Sequence, residues 1–419
     1  SYAWIMWSLL VSISVLLKLS ESAYCHGKPD PNAQPNSYAI QDANLQLIGT
    51  VENGKAYLAG PDDQRFYLLH LYGDAYQMGY AQGELLKDAV VEFMDQVWEY
   101  IIDEMPFSST LPGLDNATLQ EALALTADAT APWTPDYFYD EMQGLSDATG
   151  VSYDEILRIH MLPSLTQGHC SMFGAWGNAT LDSQNGDLIQ LRALDWDTDG
   201  PFKDFPMISV YHPTDGGHPF ALVSFTGFIG AITGVSSSRC SISEIGVSYP
   251  DDTFGRESRF GVPFPFVLRE ILQFDNTVDD ATKRMNTTRR TCDLILGVGC
   301  GRQDTIGKFR GYEYSYSTLN VYNWDNLEPY NETWHPRIND IVYWGMDWLC
   351  PNYDIVLSQQ LDKYYGEINA NNTIQNIVAQ TQTGNLHIAV YDYFQDAMFV
   401  SFHARSNQSD ITETNAYNR

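Results

Sequence analysis

Apolar residues recur with the period of an amphipathic helix in much of the chain before residue 165. This helical pattern covers residues 90–105, 119–127, 135–149 and 153–162. Beyond residue 170 the pattern changes to short apolar runs that predict β-strands. Examples are residues 207–211, 220–225, 316–324 and 386–393, with predicted helices at 264–274 and 354–365 between sets of strands. The chain is therefore expected to be an α+β protein in which a mainly helical part precedes a β-rich part.

Cys170 stands where these two parts meet, at the head of a short apolar run. A second strand-like run covers residues 187–196. The Asn-Gly pair at 185–186 tolerates the positive φ angles of a hairpin turn, so the two runs are predicted to pair as antiparallel strands. That pairing would bring Arg192 and Asp195 back towards the cysteine.

A thiol with a cationic neighbour and a nearby base is the arrangement of a cysteine nucleophile. Arg192 supplies the first of these to Cys170 directly. The ordinary alternative is that Cys170 is a buried apolar residue or half of a disulfide. Arg192 and Asp195 would then form a structural ion pair. These residues taken alone leave both interpretations open.

The charge balance is unusual, whereas a hydrophobic content of 44% is ordinary for a globular protein. Lys and Arg number 23 against 53 Asp and Glu, which gives a formal net charge of −30. This charge argues against nucleic-acid binding and against attachment to anionic membranes by charge. It suits a lumenal or extracellular protein, including one that works at acid pH.

The N-terminal region and the sequons favour the secretory pathway. Residues 3–17 are mostly apolar and predict either a signal peptide within residues 1–23 or an uncleaved signal-anchor. Residues 24–55 open with a Pro- and Asn-rich stretch and are expected to form an extended arm or linker. Glycosylation is predicted at six N-x-Ser/Thr sequons: Asn116, Asn178, Asn286, Asn331, Asn371 and Asn407. The expected location is lysosomal, otherwise lumenal, or extracellular, with membrane attachment through residues 3–17 left open.

The six cysteines are Cys25, Cys170, Cys240, Cys292, Cys300 and Cys350. If Cys170 is a nucleophile, an odd number remains, so at least one thiol stays unpaired or bonds another chain. None of the cysteines has the spacing of a zinc site. Neither a metal nor a cofactor is therefore expected.

Several stretches carry a resemblance to a known enzyme family. Residues 73–86 and 141–157 are similar to the opening helix and to the segment before the nucleophile in the isopenicillin-N acyltransferase family. Cys170 followed by Arg192-Ala-Leu-Asp195-Trp196 resembles the nucleophile region of that family, of acid ceramidase and of N-acylethanolamine acid amidase. The chain thus resembles the cysteine N-terminal-nucleophile (Ntn) hydrolases, with bile-salt hydrolase further off.

This resemblance implies a four-layer αββα sandwich in one domain. Residues 56–169 would be its mainly helical pro portion, and residues 170–419 its nucleophile-bearing β portion. It also implies that acid ceramidase's bridge between its two chains has a counterpart in a Cys25–Cys350 disulfide. Cys292 and Cys300 are expected to close a short second loop. The sequon at Asn178 lies on the predicted turn, so its side chain should point outward.

The resemblance further implies a mechanism. Cys170 would attack the carbonyl of His169, and cleavage of that bond would free the α-amine of Cys170 as a base. Arg192 would stabilise the thiolate, and Asp195 would hold the α-amine. The substrate would be a small acylated molecule with a linear amide (N-acyl) bond. Ser243 stands where family members commonly carry the Asn of an Asn-Glu-x-Gly motif, which makes it the candidate for the oxyanion region.

Two other functions fit the sequence. Ser243 in place of Asn, and the lack of an oxyanion Asn near Gly299, fit a catalytically silent glycoprotein that acts as a structural component of a membrane or extracellular assembly. The presence of Cys170, Arg192 and Asp195 together argues against that alternative. The other candidate is a phospholipase B-like lipid hydrolase.

Overall fold

The computed structural model describes residues 25, 27–38, 40–104, 118–165, 168–302, 304–405 and 415–418. Within these ranges, no helix has both the length and the apolar character needed to cross a membrane. The predicted signal peptide or anchor at residues 1–23 and the sequons at Asn116 and Asn407 lie outside the described residues.

The secondary structure consists of helices and two β-sheets. The helices are α1 (Ala75–Glu104), α2 (Leu119–Thr130), α3 (Asp136–Thr149), α4 (Tyr153–Met161), α5 (Leu181–Gln184), α6 (Phe264–Phe274), α7 (Val278–Thr287), α8 (Pro351–Lys363), α9 (Ala370–Asn372) and α10 (Ala379–Thr381), with a π-helical segment, Thr373–Val378, between α9 and α10.

The larger sheet has ten strands in the order β1-β2-β3-β6-β7-β8-β9-β10-β11-β12, and the smaller has five in the order β13-β4-β5-β14-β15. The strands of the larger sheet are β1 (Gln46–Val51), β2 (Gly54–Ala59), β3 (Phe66–Gly73), β6 (Pro206–Pro213), β7 (Phe220–Phe225), β8 (Gly234–Ser236), β9 (Cys240–Gly246), β10 (Leu294–Cys300), β11 (Lys308–Tyr314) and β12 (Leu319–Tyr322). Those of the smaller sheet are β4 (His169–Ala175), β5 (Ile189–Asp195), β13 (Ile341–Met346), β14 (His387–Asp392) and β15 (Ala397–Phe402).

The two sheets pack face to face, and helices cover their outer faces. Gly297 on β10 lies so close to β4 that a Cβ atom there would be 2.6 Å from the sulfur of Met172. On the outer face of the larger sheet, Thr282 of α7 lies 2.8 Å from the Tyr312 hydroxyl of β11. On the outer face of the smaller sheet, α8 accepts a hydrogen bond from the backbone of β13 through Asp354. This layering confirms the predicted αββα sandwich.

The region before Cys170 is mainly helical, as predicted, but it also contributes strands to the larger sheet. Residues 46–51 form β1, although the sequence assigned them to the arm. Helices α1 and α3 approach so closely at Gly79 that a Cβ atom there would lie 2.0 Å from the carbonyl oxygen of Glu141. A larger side chain at residue 79 would therefore separate the two helices.

One predicted disulfide is present and the other is wrong. Cys25 is bonded to Cys350, as the resemblance implied. Cys300 is bonded to Cys240 rather than to Cys292, because Cys240 and Cys300 lie directly opposite each other on β9 and β10. Cys292 precedes Cys300 by eight residues of extended chain, or about 26 Å. A disulfide requires Cα atoms within roughly 7 Å of each other, so Cys292 remains a free, buried thiol.

The sequons within the described ranges are accessible to different degrees. Asn178, Asn286 and Asn371 are exposed, whereas Asn331 is half-buried. The exposure of Asn178 agrees with its predicted position on the connection between β4 and β5. Glycosylation at these sites remains a prediction.

Candidate active site

The hairpin of β4 and β5 positions the predicted catalytic residues. Cys170 is paired with Leu194 and His169 with Asp195 across the two antiparallel strands. Arg192 and Asp195 are three residues apart on one strand, and successive side chains of a strand point to opposite faces. Arg192 therefore shares the inner face of the sheet with Cys170, whereas Asp195 lies on the outer face. The sequence predicted Arg192 and Asp195 near the cysteine, and the strand register places them on opposite faces of the sheet.

The Cys170 thiol is buried between the two sheets, with 1% of the residue exposed. The Arg192 guanidinium lies beside this thiol, on the neighbouring strand, and the two groups interact electrostatically. Burial raises the pKa of the Cys170 thiol to about 12, and the positive charge of Arg192 opposes this rise only in part. In the uncleaved chain the thiol is therefore protonated at neutral pH, and it needs a base close by before it can act as a nucleophile.

Arg192 is fully buried and has a carboxylate partner, Glu244, that the sequence did not identify as a site residue. Its Nη2 lies 3.2 Å from Oε2 of Glu244. Its other donors reach the carbonyl oxygens of Ala193, at 2.7 Å, and Ile232, at 3.4 Å. Burial raises the pKa of Glu244 to about 7, against the opposing effect of Arg192. The signal that could have identified Glu244 is the Glu-x-Gly motif in which it stands.

Asp195 is held by a loop that immediately precedes β14. Its Oδ2 accepts hydrogen bonds from the Thr383 hydroxyl at 2.6 Å and from the Gly384 amide at 2.8 Å. Its Oδ1 accepts one from the Asn385 amide at 3.1 Å. Burial raises the pKa of Asp195 to about 6, and these hydrogen bonds together with Arg192 oppose the rise. The sequence offered no signal for this loop beyond a Thr-Gly-Asn turn.

His169, the residue before the nucleophile, is paired with Asp195 across the hairpin and packs against Tyr249 and Asp347. Its ring is stacked on that of Tyr249, with centroids 6.3 Å apart, and its Nε2 lies 4.0 Å from Asp347. Burial raises the pKa of Asp347 to about 7, although backbone amides including those of Ser248 and Trp348 donate to its carboxylate. Two carboxyl groups, those of Asp195 and Asp347, are therefore close to His169.

Ser243, the residue expected in the oxyanion region, is absent from the lining of the cavity beside Cys170. Its hydroxyl accepts from the Gln190 amide at 2.9 Å and donates to the Leu191 carbonyl at 3.2 Å. Because β9 presents Ser243 to β5, the hydroxyl is used to satisfy buried groups of the facing sheet.

A cavity of about 90 Å³ adjoins the Cys170 thiol. Its walls are mostly aromatic and aliphatic: Phe93, Ile159, Leu162, Pro163, Gly168, Cys170, Leu194, Trp196, Phe202, Phe225, Phe228, Ile232, Glu244, Phe264 and Leu386. Glu244 is the one carboxylate among these described residues. The cavity therefore offers an apolar group a place next to the thiol, with a polar corner at the Arg192–Glu244 pair.

The described part of the chain contains no group of three or more His, Cys, Asp or Glu residues arranged to hold a metal ion. The site is instead built from a thiol, a guanidinium and carboxylates. Such a set can form a covalent bond to a carbonyl carbon and can move protons.

Comparison with known proteins identifies full-length relatives. The chain is 37% identical over 417 residues to protein dcd1A of Dictyostelium discoideum, which covers 93% of this chain and 91% of the relative. Protein dcd1B of the same organism is 38% identical over 382 residues, with 87% and 73% covered. A solved structure of a Caenorhabditis elegans N-acylethanolamine-hydrolyzing acid amidase ortholog matches 55% of this chain and 99% of its own, at 16% identity and a TM-score of 0.40. No family model matches the chain.

Proposed function

This chain belongs to the same family as the Dictyostelium proteins dcd1A and dcd1B, and we propose that it is a cysteine hydrolase of N-acyl amide bonds. The names of these relatives specify no reaction, so the proposal depends on the site. The observation that carries it is the contact between the buried Cys170 thiol and the Arg192 guanidinium at the wall of an apolar cavity. A buried arginine next to a thiol favours the thiolate.

The first step is cleavage of the chain by its own nucleophile. The Cys170 sulfur attacks the carbonyl carbon of His169, the peptide C–N bond breaks, and the nitrogen leaves as the α-amine of Cys170. Water then hydrolyses the resulting thioester and leaves a carboxylate on His169. Asp195 is paired with His169 across the hairpin, so a carboxylate lies beside the bond that breaks.

The freed α-amine supplies a base in the cleaved enzyme. The pKa of an α-amine is ordinarily near 8, and this amine is attached to the same Cα atom as the thiol side chain, so it can accept the thiol proton. Arg192 on the inner face then stabilises the thiolate. Asp195 on the outer face stabilises the ammonium. Because Arg192 and Asp195 point to opposite faces of β5, Arg192 interacts with the thiolate and Asp195 with the ammonium.

The aromatic cavity indicates an apolar acyl group as the part of the substrate that is bound. Five phenylalanines and a tryptophan line it, and their rings bind apolar groups through burial and favourable ring contacts. The Cys170 thiolate attacks the acyl carbonyl, the amine leaves with a proton, and water releases the acid from the acyl-enzyme.

The proposed compartment is the secretory pathway, with a lysosomal, otherwise lumenal or extracellular destination. Two disulfides are typical of proteins in such oxidising spaces. An N-terminal signal peptide, glycosylation of the exposed sequons and membrane attachment through residues 3–17 belong to the same proposal.

The test is mass analysis of protein produced through a secretory pathway, before and after incubation at about pH 4.5, where carboxylates begin to protonate. We expect fragments that end at His169 and begin at Cys170, joined by the Cys25–Cys350 disulfide until reduction. The Cys170→Ala variant should remain one chain and should not hydrolyse any member of a panel of N-acyl amides. Cys170→Ser, a weaker nucleophile, should cleave more slowly.

The alternatives give different results in the same experiment. A wild-type chain that stays intact at both pH values and hydrolyses nothing would support a catalytically silent glycoprotein. Hydrolysis of phospholipid esters but not of amides would support a phospholipase B-like enzyme. Either result contradicts the proposed amide hydrolysis.

A further inference from the structure

One hydroxyl group joins Asp195 to the residue next to the nucleophile. Thr383 Oγ1 lies 2.6 Å from Asp195 Oδ2 and 2.6 Å from the hydroxyl of Ser171. Ser171 directly follows Cys170 on β4, and Thr383 is fully buried. A short buried chain of polar groups therefore runs on the outer face of the hairpin, behind the nucleophile.

The number of available protons determines which group donates in each of these buried hydrogen bonds. Ser171 Oγ accepts a hydrogen bond from the Met346 amide at 3.0 Å. The Thr383 hydroxyl has one proton and two acceptors within reach, Ser171 Oγ and Asp195 Oδ2. With Asp195 ionised the carboxylate is the stronger acceptor, so Thr383 donates to Asp195. The two backbone amides of Gly384 and Asn385 donate to the same carboxylate. Thr383 is thus the one side chain of this loop that donates to Asp195.

We propose that Thr383 is a positioning residue that keeps the Asp195 carboxylate ionised and directed towards the α-amine of Cys170. This inference rests on the proposed function, because the α-amine exists only after cleavage. Thr383 does not touch the thiol or the cavity. It acts through Asp195, by holding the carboxylate at a fixed distance from the strand that carries the nucleophile.

The physical basis is the balance of effects on a buried carboxylate. Burial raises the pKa of Asp195, and the largest opposing effect is the hydrogen bond from Thr383. A hydrogen bond to a charged group is worth roughly 1.5–3 kcal/mol, which corresponds to about one to two pH units. Without the hydroxyl, Asp195 should therefore take up a proton at a pH at which the wild-type carboxylate is still ionised.

Other titratable or charged groups face this corner from the elements packed around it. They are Cys170 and His169 on β4, Arg192 on β5, Tyr353 on α8 and Tyr417 in the C-terminal turn. The Thr383 hydroxyl instead bonds Asp195, Ser171 and the sulfur of Met346. Replacing Thr383 therefore changes the hydrogen bonding of Asp195 and leaves these groups in place.

The experiment compares three variants of the full chain. Thr383→Val removes the hydroxyl at nearly constant volume, and Thr383→Ser retains it. Thr381→Val is the matched control, because Thr381 is also fully buried but donates to the Ile377 carbonyl at 2.7 Å and not to Asp195. If Thr383→Val does not fold, Thr383→Ala replaces it.

The first readout is the pH profile of amide hydrolysis, measured as kcat/KM. The acidic limb should move upward by roughly one to two pH units in Thr383→Val and should return towards the wild-type position in Thr383→Ser. Thr381→Val should keep the wild-type profile. An unshifted acidic limb in Thr383→Val, with active wild-type protein, overturns the inference and leaves the proposed function standing.

The second readout needs no activity. Thr383→Val should lower the melting temperature more at pH 8, where Asp195 is ionised, than at pH 4.5, whereas Thr381→Val should lower it equally at both. Equal losses in the two variants overturn the inference. A wild-type protein that neither cleaves nor hydrolyses overturns the proposed function, while the difference between pH values still decides whether Thr383 supports the ionised carboxylate.

Discussion

Two buried arginine–glutamate pairs of this protein look alike in isolation and differ in what surrounds them. Arg192 lies 3.2 Å from Glu244, and Arg269 lies 2.5 Å from Glu141. Both arginines are almost completely excluded from solvent. In both pairs burial raises the pKa of the carboxyl group and the arginine opposes that rise.

The difference lies in the third partner of each arginine. Arg269 is enclosed by aromatic rings, with its guanidinium 4.4 Å from the ring centre of Tyr211 and 5.4 Å from that of Phe138. Arg192 instead contacts the Cys170 thiol and adjoins a cavity. A buried ion pair is therefore not by itself the mark of a functional site. The nucleophile and the cavity next to it distinguish the Arg192–Glu244 pair.

The strongest test of this comparison is removal of the enclosed arginine. Arg269→Met should lower the free energy of unfolding by about 3–5 kcal/mol, because it leaves the Glu141 carboxylate buried without its cation. Denaturant unfolding measures this loss. The molecules that remain folded should keep wild-type kcat/KM, since Arg269 does not line the cavity. A large loss of activity per folded molecule would contradict a purely structural role.

Removal of Arg192 should lower activity more than stability, the reverse of what is expected for Arg269. Arg192→Met should lower kcat/KM by about 10²–10³-fold, the usual effect of losing one group that stabilises developing charge. Its effect on stability should be smaller than that of Arg269→Met, because Glu244, with a pKa raised to about 7, is readily protonated near neutral pH. Arg192→Lys retains the charge and serves as the control. If Arg192→Met retains full activity, the proposed thiolate stabilisation is wrong.

The smallest expected effect is the contribution of Glu244 to the pH dependence of the free energy of unfolding. The pKa of Glu244 is raised by burial from 4.5 to about 7, so between these values the folded state holds a proton that the unfolded state has lost. This group therefore makes the free energy of unfolding fall as pH rises, by roughly 1.4 kcal/mol per pH unit in that window. The contribution is present in full below about pH 4.5 and is lost as pH rises through 7.

Glu244→Gln should remove this contribution. The difference in unfolding free energy between wild type and variant, measured in urea at pH 5 and pH 7, isolates Glu244 because the buried histidines are common to both proteins. A difference that does not change between the two pH values would show that Glu244 is not protonated in the folded state at pH 5.

Local sequence was sufficient for the part of the site that comes from neighbouring strands. Cys170, Arg192 and Asp195 lie on two consecutive strands, so the apolar runs predicted their proximity. The connection between them contains α5, and Asn185 ends that helix rather than forming a tight hairpin turn. The same spacing also determines that Arg192 and Asp195 point to opposite faces of the sheet. The pattern of helices followed by strands likewise predicted an α+β protein, and the family resemblance implied its αββα layers.

Contacts from distant segments could not be predicted in this way. Glu244 is 52 residues from Arg192, and Thr383 is 188 residues from Asp195. The local periodicity does not determine which strand lies opposite β5 or which loop contacts Asp195. The face-to-face packing of the two sheets brings β9 opposite β5, and the pairing of β14 with β5 brings the loop before β14 to the hairpin.

The cysteines and the pKa values illustrate the same division. The sequence determined how many thiols there are, and the resemblance implied one pairing correctly, but only the register of β9 and β10 selects Cys240 as the partner of Cys300. The sequence also determined the types of ionisable group near Cys170. Their protonation was decided by tertiary structure, because burial and hydrogen bonding depend on side chains and loops that are far apart in the chain and meet only in the folded protein.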